Sequence, residues 1–390
     1  FGQKPFKFPP PDGFQPLNLS NVQPEKVIAR PDQYVKATTY TGDGNTSGRS
    51  INIGFRPDLI WLKSRGSGNH GLYDSVRGPD KRLQADGNAA EDTVVFPGAS
   101  NFGFDFGSET YYNGSSVNYV AWTWKAGGNK NTFNVDDVGY ATASAAGLTA
   151  GTITPTGASV GTKQGFSIVK FTGDSTTTGS IAHGLNKKPQ FVVVRDLVNN
   201  DDWQIKFVDE NRYLKFNTTD AGSTSYSNYT ATDSVINLGY TWNNDSSPHI
   251  AYSWHDVPGL QKFGTYTGNG SADGPFIELG FQPAIIWMKN ISDGSNRHWC
   301  VVDSTRSTYN KGASAEVLFF DSNQIESRPD NGFGQFGSKP CVDILSNGFK
   351  LREANTNNVW TQVNNTHNYI YCAWAEAPSI NLYGAQSNAF

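Results

Sequence analysis

The sequence is poor in methionine, cysteine and charge. Its 390 residues include one methionine and three cysteines, and Asp, Glu, Lys and Arg together make up 17%. The cysteines, Cys300, Cys341 and Cys372, all lie in the last third of the chain. An odd number of cysteines in strand-like surroundings predicts buried free thiols and not a disulfide framework. A chain that needs no bridge is typical of proteins that fold in a reducing compartment.

Long apolar runs and blocks of one charge are also absent from the sequence. No apolar run approaches the roughly 18 residues that a membrane span requires. The net charge is −4 and no basic block occurs, so we expect neither membrane insertion nor nucleic-acid binding. The chain begins at Phe1 with neither an initiator methionine nor a signal-peptide pattern, and we therefore expect further residues upstream.

Glycine, proline and aromatic residues are abundant. The chain has 41 glycines and 19 prolines, and 13% of its residues are aromatic. This composition favours strands and tight turns over helices, and no window has a sustained 3.6-residue apolar period. The sequence therefore predicts an all-β protein.

One set of motifs occurs three times along the chain. Each copy has an aromatic-Thr-Gly turn, a Gly-to-Pro segment that leads into an apolar strand, an Asp-x-x-Arg step and a closing strand of small and aromatic residues. The turns are residues 40–42, 171–173 and 266–268; the apolar strands are 59–63, 191–195 and 285–289; the Asp-x-x-Arg steps are Asp74/Arg77, Asp209/Arg212 and Asp303/Arg306; the closing strands are 120–124, 250–254 and 372–374. A repeat of this length predicts tandem domains that each bury a core, and not a solenoid.

The repeats divide the chain into an arm, three modules and a linker. Residues 1–36 are proline-rich and predict an extended arm. We place the modules at residues 37–128, 166–259 and 260–390. Large and small side chains alternate in the closing strands, which indicates antiparallel β-sandwiches of the jelly-roll, lectin-like kind.

The linker between the first two modules, residues 129–165, has a distinct composition. Its middle part, 141–161, is almost entirely Ala, Ser, Thr, Gly and Pro. This composition predicts a flexible segment. The alternation at residues 152–154 leaves a short hairpin or a chain-to-chain contact open as an alternative.

No copy carries a catalytic or metal-binding set of residues. The six histidines lack the His-x-His or His-x-x-x-His spacing of metal sites. The adjacent acids Asp136/Asp137 and Asp201/Asp202 would point to opposite faces of a strand, whereas glycoside hydrolysis needs two facing carboxylates. We take the Asp-x-x-Arg steps as turn-capping carboxylates or exposed local ion pairs that add little stability. We therefore predict no enzyme activity, no cofactor and no metal, with a polysaccharide depolymerase as the alternative.

Ten tryptophans provide surfaces on which sugar rings could stack. Five of them recur at positions inside strands and are predicted core residues: Trp61, Trp122, Trp254, Trp287 and Trp374. Aromatic residues in turn-rich stretches are better platforms: Tyr111, Tyr112, Tyr226, Tyr229, Trp242 and Trp360. From these we select Tyr111, Tyr112, Trp242 and Trp360 as candidate ligand-binding residues.

Several segments resemble virion structural proteins of tailed bacteriophages of the marine, cyanophage type. Residues 1–18 are similar to the end of an upstream SPRY-type, concanavalin-like lectin domain in those proteins. Their tandem modules resemble residues 54–63 and 72–78, and residues 133–140 and 377–384 are similar to their linker and end. The resemblance implies a non-enzymatic protein on the virion surface, a tail fibre or tail-associated appendage for host attachment. Capsid decoration, a head fibre and a carbohydrate-binding lectin-like protein are the alternatives.

The same resemblance implies the partners of the chain. We expect other virion proteins of the tail or capsid, and a homo-oligomer in which a trimer is favoured. A host surface glycan is a further expected partner.

Overall fold

The computed structural model describes residues 27–96, 98–108, 110–207, 212–223, 230–239, 242–243, 246–293, 297–306, 316–326, 341–352, 363–380 and 386–387. Within these residues the chain consists of short strands, mostly antiparallel, with a 3-10 helix at Pro31–Gln33 ahead of the first strand. The prediction of an all-β sandwich fold is confirmed. No helix in these ranges is long and apolar enough to cross a membrane.

The first module pairs a six-stranded sheet with a three-stranded sheet. The large sheet has the order β1-β9-β3-β4-β5-β6 and the small sheet β2-β8-β7. The strands are β1 (Val35–Thr41), β2 (Arg49–Asn52), β3 (Leu59–Ser64), β4 (Gly71–Asp74), β5 (Gly78–Leu83), β6 (Asp92–Thr93), β7 (Gly98–Ser100), β8 (Gly103–Phe106) and β9 (Asn118–Trp124).

The second module has an eight-stranded sheet in the order β11-β10-β12-β13-β19-β15-β16-β17 and a two-stranded sheet, β14-β18. The strands are β10 (Phe133–Val135), β11 (Val138–Tyr140), β12 (Gly157–Gly161), β13 (Phe166–Thr172), β14 (Ser180–Ala182), β15 (Phe191–Asp196), β16 (Gln204–Phe207), β17 (Arg212–Lys215), β18 (Val235–Asn237) and β19 (Pro248–Trp254).

Three of these strands lie in the predicted linker, so the prediction of a flexible segment is wrong. Strand β12 pairs with β13 on one side and with β10 on the other. Ala158, Val160 and Leu148 are buried in the core of the second module. Small side chains allow close packing here, because a Cβ atom on Gly127 would lie 2.4 Å from the Val160 carbonyl oxygen. A composition typical of linkers thus also suits a tightly packed sheet edge.

The third module pairs a five-stranded sheet, β20-β27-β22-β23-β24, with a three-stranded sheet, β21-β26-β25. The strands are β20 (Gln261–Thr267), β21 (Phe276–Glu278), β22 (Pro283–Asn290), β23 (Cys300–Asp303), β24 (Leu318–Phe319), β25 (Val342–Leu345), β26 (Gly348–Leu351) and β27 (Asn368–Ala375); a final pair is β28 (Ser379–Ile380) with β29 (Gln386–Ser387). The three cysteines are buried and none forms a disulfide.

Each large sheet is buried on both faces. In β3, Ile60 and Leu62 face the small sheet of the first module, where they join a local core. Leu59 and Trp61, on the opposite face, join a larger core that contains residues of all three modules. Strands β15 and β22 follow the same rule, with Val192 and Ile286 in the local cores. A strand buried on both faces needs a continuous apolar run, as these three strands have.

The three large sheets meet in this common core. Trp287 of the third module lies 5.5 Å from Trp61 of the first and 6.4 Å from Trp254 of the second, measured between ring centroids. Trp61 in turn lies 5.5 Å from Phe216 of the second module. All three pairs of modules therefore contact through aromatic side chains. Each module has a core of its own, but the largest core belongs to the three modules together.

Strand register identifies the equivalent positions of the three modules. Trp124, Trp254 and Trp374 pair with Leu59, Phe191 and Ile285, respectively. The same register sets Asp74 and Asp303 opposite Leu59 and Ile285, and it sets Phe207 opposite Phe191. The second module thus has phenylalanine where the others have the aspartate of the Asp-x-x-Arg step. Asp209, the acid that the sequence repeat suggested, lies outside the described residues.

Candidate functional site

The Asp-x-x-Arg steps of the first and third modules are buried ion pairs, each formed within one module and bonded to an aromatic residue of a neighbouring module. Asp74 binds Arg77, and both side chains have 0% exposure. The Tyr252 hydroxyl of the second module donates to Asp74 Oδ2 at 2.7 Å. The Asp74 Oδ1 atom accepts the backbone N–H groups of Val76 and Arg77. The turn-capping role is therefore confirmed, but the expectation of an exposed pair is wrong.

The equivalent carboxylate of the third module, Asp303, has matching partners. It accepts from Arg306 Nε at 2.6 Å and from Trp122 Nε1 of the first module at 2.9 Å. Trp122 and Tyr252 occupy equivalent positions, and Cys372 is the third member of that set. A carboxylate therefore accepts a hydrogen bond from an aromatic side chain of a neighbouring module at two of the three interfaces. At the third interface, Phe207 takes the place of the carboxylate and Cys372 that of the aromatic donor.

Glu326 adds a second ionic contact between the first and third modules. Its side chain has 0% exposure and accepts from Arg65 Nη2 at 2.7 Å and from Arg306 Nη1 at 3.0 Å. Burial alone would raise the pKa of the Glu326 carboxyl, but Arg306 and Arg65 hold it below its usual value. The charged carboxylate thus joins an arginine of each module in the interior.

A third contact occurs at all three interfaces. Trp203 Nε1 donates to the Gln84 carbonyl oxygen and Trp299 Nε1 to that of Lys215, both at 2.8 Å. His70 is the equivalent residue in the first module and lies 3.0 Å from the Phe319 carbonyl oxygen through Nε2. Trp61 Nε1 donates to His70 Nδ1, so Nε2 carries the proton, and burial lowers the pKa of His70. Each module is therefore bonded to the next in a closed cycle.

Three buried basic residues lie at equivalent positions in β3, β15 and β22: Lys63, Arg195 and Lys289. Lys63 Nζ donates to the Gln324 carbonyl oxygen of the third module at 3.1 Å. Arg195 Nη2 donates to the Asn88 and Ala89 carbonyl oxygens of the first module, each at 2.7 Å. Burial lowers the pKa of both Lys63 and Lys289 to about 8. Main-chain carbonyl groups, and not carboxylates, thus hold these cations.

The aromatic-Thr-Gly turns are locked by buried asparagines that the motif comparison missed. Asn113 Nδ2 donates to Asp43 Oδ1 and to the Asn45 carbonyl oxygen. Asn243 and Asn364 make equivalent bonds in the second and third modules. These asparagines lie 11, 11 and 10 residues before the equivalent tryptophans Trp124, Trp254 and Trp374, and this nearly constant spacing is the signal that could have found them. Because Asp43 Oδ1 is occupied by the turn, its role is structural, and no cluster of three metal-ligating acids, histidines or cysteines occurs in the described ranges.

A cavity of about 110 Å³ is lined mostly by residues of the first module. Asp58 lines it with only 1% of its surface exposed. Its Oδ2 atom accepts the backbone N–H groups of Ala126 and Gly128, at 2.7 and 3.2 Å. Its Oδ1 atom is buried, and the Ser75 hydroxyl beside the carboxyl offsets part of the effect of burial on its pKa. Burial raises the pKa of the Asp58 carboxyl.

The walls of this cavity combine apolar and polar groups. Ile60 and Pro79 supply apolar surface, and Arg56 and Asn129 are the polar neighbours. Asp74 also lines the cavity, but Arg77, Tyr252 and two backbone N–H groups occupy both of its oxygens. Oδ1 of Asp58 has almost no accessible surface, and the Ser75 hydroxyl, which lines the same cavity, lies beside the carboxyl.

The candidate ligand-binding residues do not come together in the described structure. The side chain of Tyr111 is 67% exposed, and the Arg82 guanidinium lies 5.2 Å from its ring centroid. Tyr112 and Trp242 are buried, at 3% and 1% exposure, so neither can serve as an exposed stacking platform in this conformation. Trp360 lies outside the described residues, as do Tyr226 and Tyr229. The five tryptophans predicted to be core residues are all buried.

Comparison with known proteins gives one finding. A family model described as "Domain of unknown function (DUF7483)" matches residues 30–378. This match spans all three modules, as expected for units that share a core. No curated protein and no solved structure matches the chain.

Proposed function

The chain belongs to the family described as a domain of unknown function, DUF7483, and we propose that it is a non-enzymatic structural protein of a bacteriophage particle. In this proposal it is a tail fibre or tail-associated appendage that presents binding surfaces for host attachment. The supporting observation is the common aromatic core, which fixes three sandwiches as one body. Such a body holds its loops at set positions, so several weak contacts can act together through effective concentration.

The interfaces between modules suit a part that must keep its shape. Each module is bonded to the next through a buried tryptophan or histidine, and two interfaces carry buried carboxylates. Breaking such a contact would leave a charged or polar group unpaired in the interior, which is costly. We therefore expect the modules to keep their relative orientation during attachment.

The polar groups also favour a structural role over catalysis. Asp58 and Asp74 line the same cavity, yet Asp74 is saturated by four donors and is held in an ion pair with Arg77. Hydrolysis of a glycosidic bond needs two carboxyl groups with free oxygens on opposite sides of the bond. We propose that these carboxylates serve packing and recognition.

The partners in this proposal are other virion proteins of the tail or capsid and a host surface glycan. Homo-oligomerisation as a trimer remains part of the proposal. The common core is already filled by side chains of the chain itself, so such contacts would have to use outer surfaces.

The proposal is tested on the phage that encodes the chain. An antibody raised against the chain should label intact particles in electron micrographs, with the label at the tail. The purified chain should also reduce adsorption of the phage to its host in a competition assay. Label at the capsid would favour the decoration or head-fibre alternative, and unlabelled particles would contradict a virion location.

The cavity at Asp58 favours carbohydrate binding as a second candidate function. The cavity of about 110 Å³ admits a single polar group such as a sugar hydroxyl, and not a whole ring, and a carboxylate is a strong acceptor for such a hydroxyl. Asp58→Asn keeps an oxygen for the N–H groups of Ala126 and Gly128 but removes the charge. We expect glycan binding on an array to fall at least tenfold in this variant.

Tyr111→Ala is the matched control for this experiment, because Tyr111 is exposed and does not line the cavity. It should leave binding within about twofold. Loss of binding in Tyr111→Ala with full binding in Asp58→Asn would assign recognition to the surface aromatic and would exclude the cavity.

A further inference from the structure

One strand, equivalent in the three modules, has an outer edge that lies against a different neighbour in each module. Strands β1, β13 and β20 are equivalent, because Val35, Phe166 and Gln261 pair with the three equivalent tryptophans of the closing strands. Each lies next to its closing strand on one side only. The other side is a sheet edge, whose main-chain N–H and C=O groups need partners.

The hydrogen-bond pattern identifies the outward-facing groups of β1. The Gly42 N–H donates to Val117 and the Lys125 N–H donates to Tyr34, both across the β1–β9 pair. Because bonded positions alternate along an antiparallel strand, even-numbered residues of β1 bond to β9. The N–H and C=O groups of Val35, Ala37 and Thr39 therefore point to the free edge.

In the second module this edge is covered by the chain itself. Strand β12 pairs with β13 in antiparallel register, so that Ser159 lies opposite Ile168. The added strand consists of Gly, Ala, Ser, Val and Gly. It also contacts the first module, since a Cβ atom on Gly157 would lie 3.2 Å from Val76 Cγ1.

In the third module the edge is capped by a side chain. Phe263 is equivalent to Ile168, and its N–H donates to Asp256 Oδ1 at 2.8 Å. A carboxylate thus replaces the added strand at that position.

In the first module no strand of the described residues pairs with the outer edge of β1. Ala37 is the residue equivalent to Ile168 and Phe263, and both Val35 and Ala37 are buried against the third module, at 2% and 7% exposure. A groove of about 290 Å³ runs beside β1, and Ala284, Ala377 and Glu376 of the third module form part of its far side, whereas Asp32 and Lys36 line it on the near side. Ala284 occupies the position in the third module that Asp58 occupies in the first. Strand β12 of the second module and its flanking residues pack next to Asp58. The groove is therefore the counterpart of the space that β12 fills.

We propose that this groove binds an extended strand of a partner protein, which adds to β1 in antiparallel orientation. Main-chain hydrogen bonds to Val35, Ala37 and Thr39 would supply the affinity, as in other cases of strand addition. The alanines of the far wall and the composition of β12 define the partner: a stretch with Gly, Ala or Ser at alternate positions. The incoming strand replaces the Thr305 hydroxyl, which donates to the Ala37 carbonyl oxygen at 3.2 Å. This inference does not depend on a virion location.

The occupant is not the segment that directly precedes β1. In the second module the covering strand comes from just before β13. Ahead of β1, however, the Ile28 N–H donates to the Pro258 carbonyl oxygen at the junction of the other two modules. The 3-10 helix Pro31–Gln33 then leads straight into β1. A hairpin onto β1 from these described residues is therefore excluded.

Disulfide capture tests the proposal with a synthetic peptide of residues 155–163, the strand that this chain uses for the equivalent edge. Thr38 is equivalent to Val169, which lies opposite Ala158 at a position where side chains come closest. The full chain with Thr38→Cys is mixed with the peptide carrying Cys in place of Ala158, in a redox buffer. The cysteines of the chain itself are buried. We expect at least fivefold more mixed disulfide than with a scrambled peptide.

N-methylated peptides provide the matched controls and leave the protein unchanged. The N–H of Ser159 would face β1, so its methylation should reduce capture to the scrambled level. The N–H at position 158 faces away from that edge, as its bond to Thr132 in the chain indicates, and its methylation should leave capture unchanged. Equal capture of all peptides would overturn the proposal. Rapid formation of disulfide-linked Thr38→Cys dimers that the peptide cannot suppress would assign the edge to a second copy and would also overturn it.

Discussion

Trp287→Ala is expected to destabilise the whole protein by about 3–5 kcal/mol, the cost of removing a large aromatic side chain from a packed core. Trp287 has 1% exposure, and its ring contacts aromatic residues of all three modules. The cavity would therefore open where the three large sheets meet. Chemical denaturation, followed by intrinsic fluorescence and by circular dichroism, measures the change in the free energy of unfolding.

Trp287→Phe is the control for this prediction. Trp287 Nε1 has no hydrogen-bond partner among the described residues, so phenylalanine removes a buried unpaired donor while it retains most of the ring volume. We expect a loss of less than about 1.5 kcal/mol. Equal losses in the two variants would show that ring volume at this position does not determine stability.

Glu326→Gln is expected to cost about 1.5–3 kcal/mol, because it removes the buried carboxylate that Arg65 and Arg306 share, while Glu316 and Asp303 still pair with them. The control is Glu316→Gln, which removes another carboxylate from the same arginine. Glu316 lies 2.8 Å from Arg65 but has 22% side-chain exposure, so its loss should cost less than about 1 kcal/mol. Denaturation at pH 7 compares the two variants. Similar small losses would contradict the buried role of Glu326.

The pH dependence of the Glu326 effect follows from the pKa of its carboxyl. The two arginines hold this pKa below its usual value of 4.5 in the folded protein. A carboxyl whose folded-state pKa is lowered stabilises the protein above its unfolded-state pKa and loses that contribution as the pH falls through the folded-state pKa. The difference in stability between wild type and Glu326→Gln should therefore be constant near neutral pH and should shrink below about pH 4.5.

The fold class followed from the sequence because the local signals agreed. Alternation in the closing strands set Trp122 and Trp124 on the face opposite Ala121, and the structure has them on those two faces. Glycine-rich turns had a clear local reason as well: a Cβ atom on Gly42 would lie 2.1 Å from the Gly114 carbonyl oxygen. Such short-range constraints act within one module and leave a direct mark on the sequence.

The arrangement of the modules could not be predicted in the same way. The run 59–63 predicted an apolar strand, but a single sequence does not show which surface covers each face of that strand. Lys63, the last residue of the run, is buried and its cation is held by main-chain carbonyl groups. Every residue has a main-chain carbonyl group, so the sequence does not show which of these groups accept hydrogen bonds from a neighbouring module.

The Asp-x-x-Arg repeat illustrates a different limit. The motif recurred three times in the sequence, but strand register aligns Phe207, and not Asp209, with Asp74 and Asp303. A short motif of common residues can recur by chance near the correct position. The candidate cavity at Asp58 was missed for the related reason that neither of the other modules has an acid there.

Amide hydrogen exchange in Trp287→Ala, measured separately for the closing strands β9, β19 and β27, tests most directly whether three modules share one core. If they do, protection in all three strands falls together, by roughly 10²- to 10⁴-fold for a loss of 3–5 kcal/mol. Loss of protection in β27 alone, with β9 and β19 as in the wild type, would mean that each module is stable by itself and would contradict the common core.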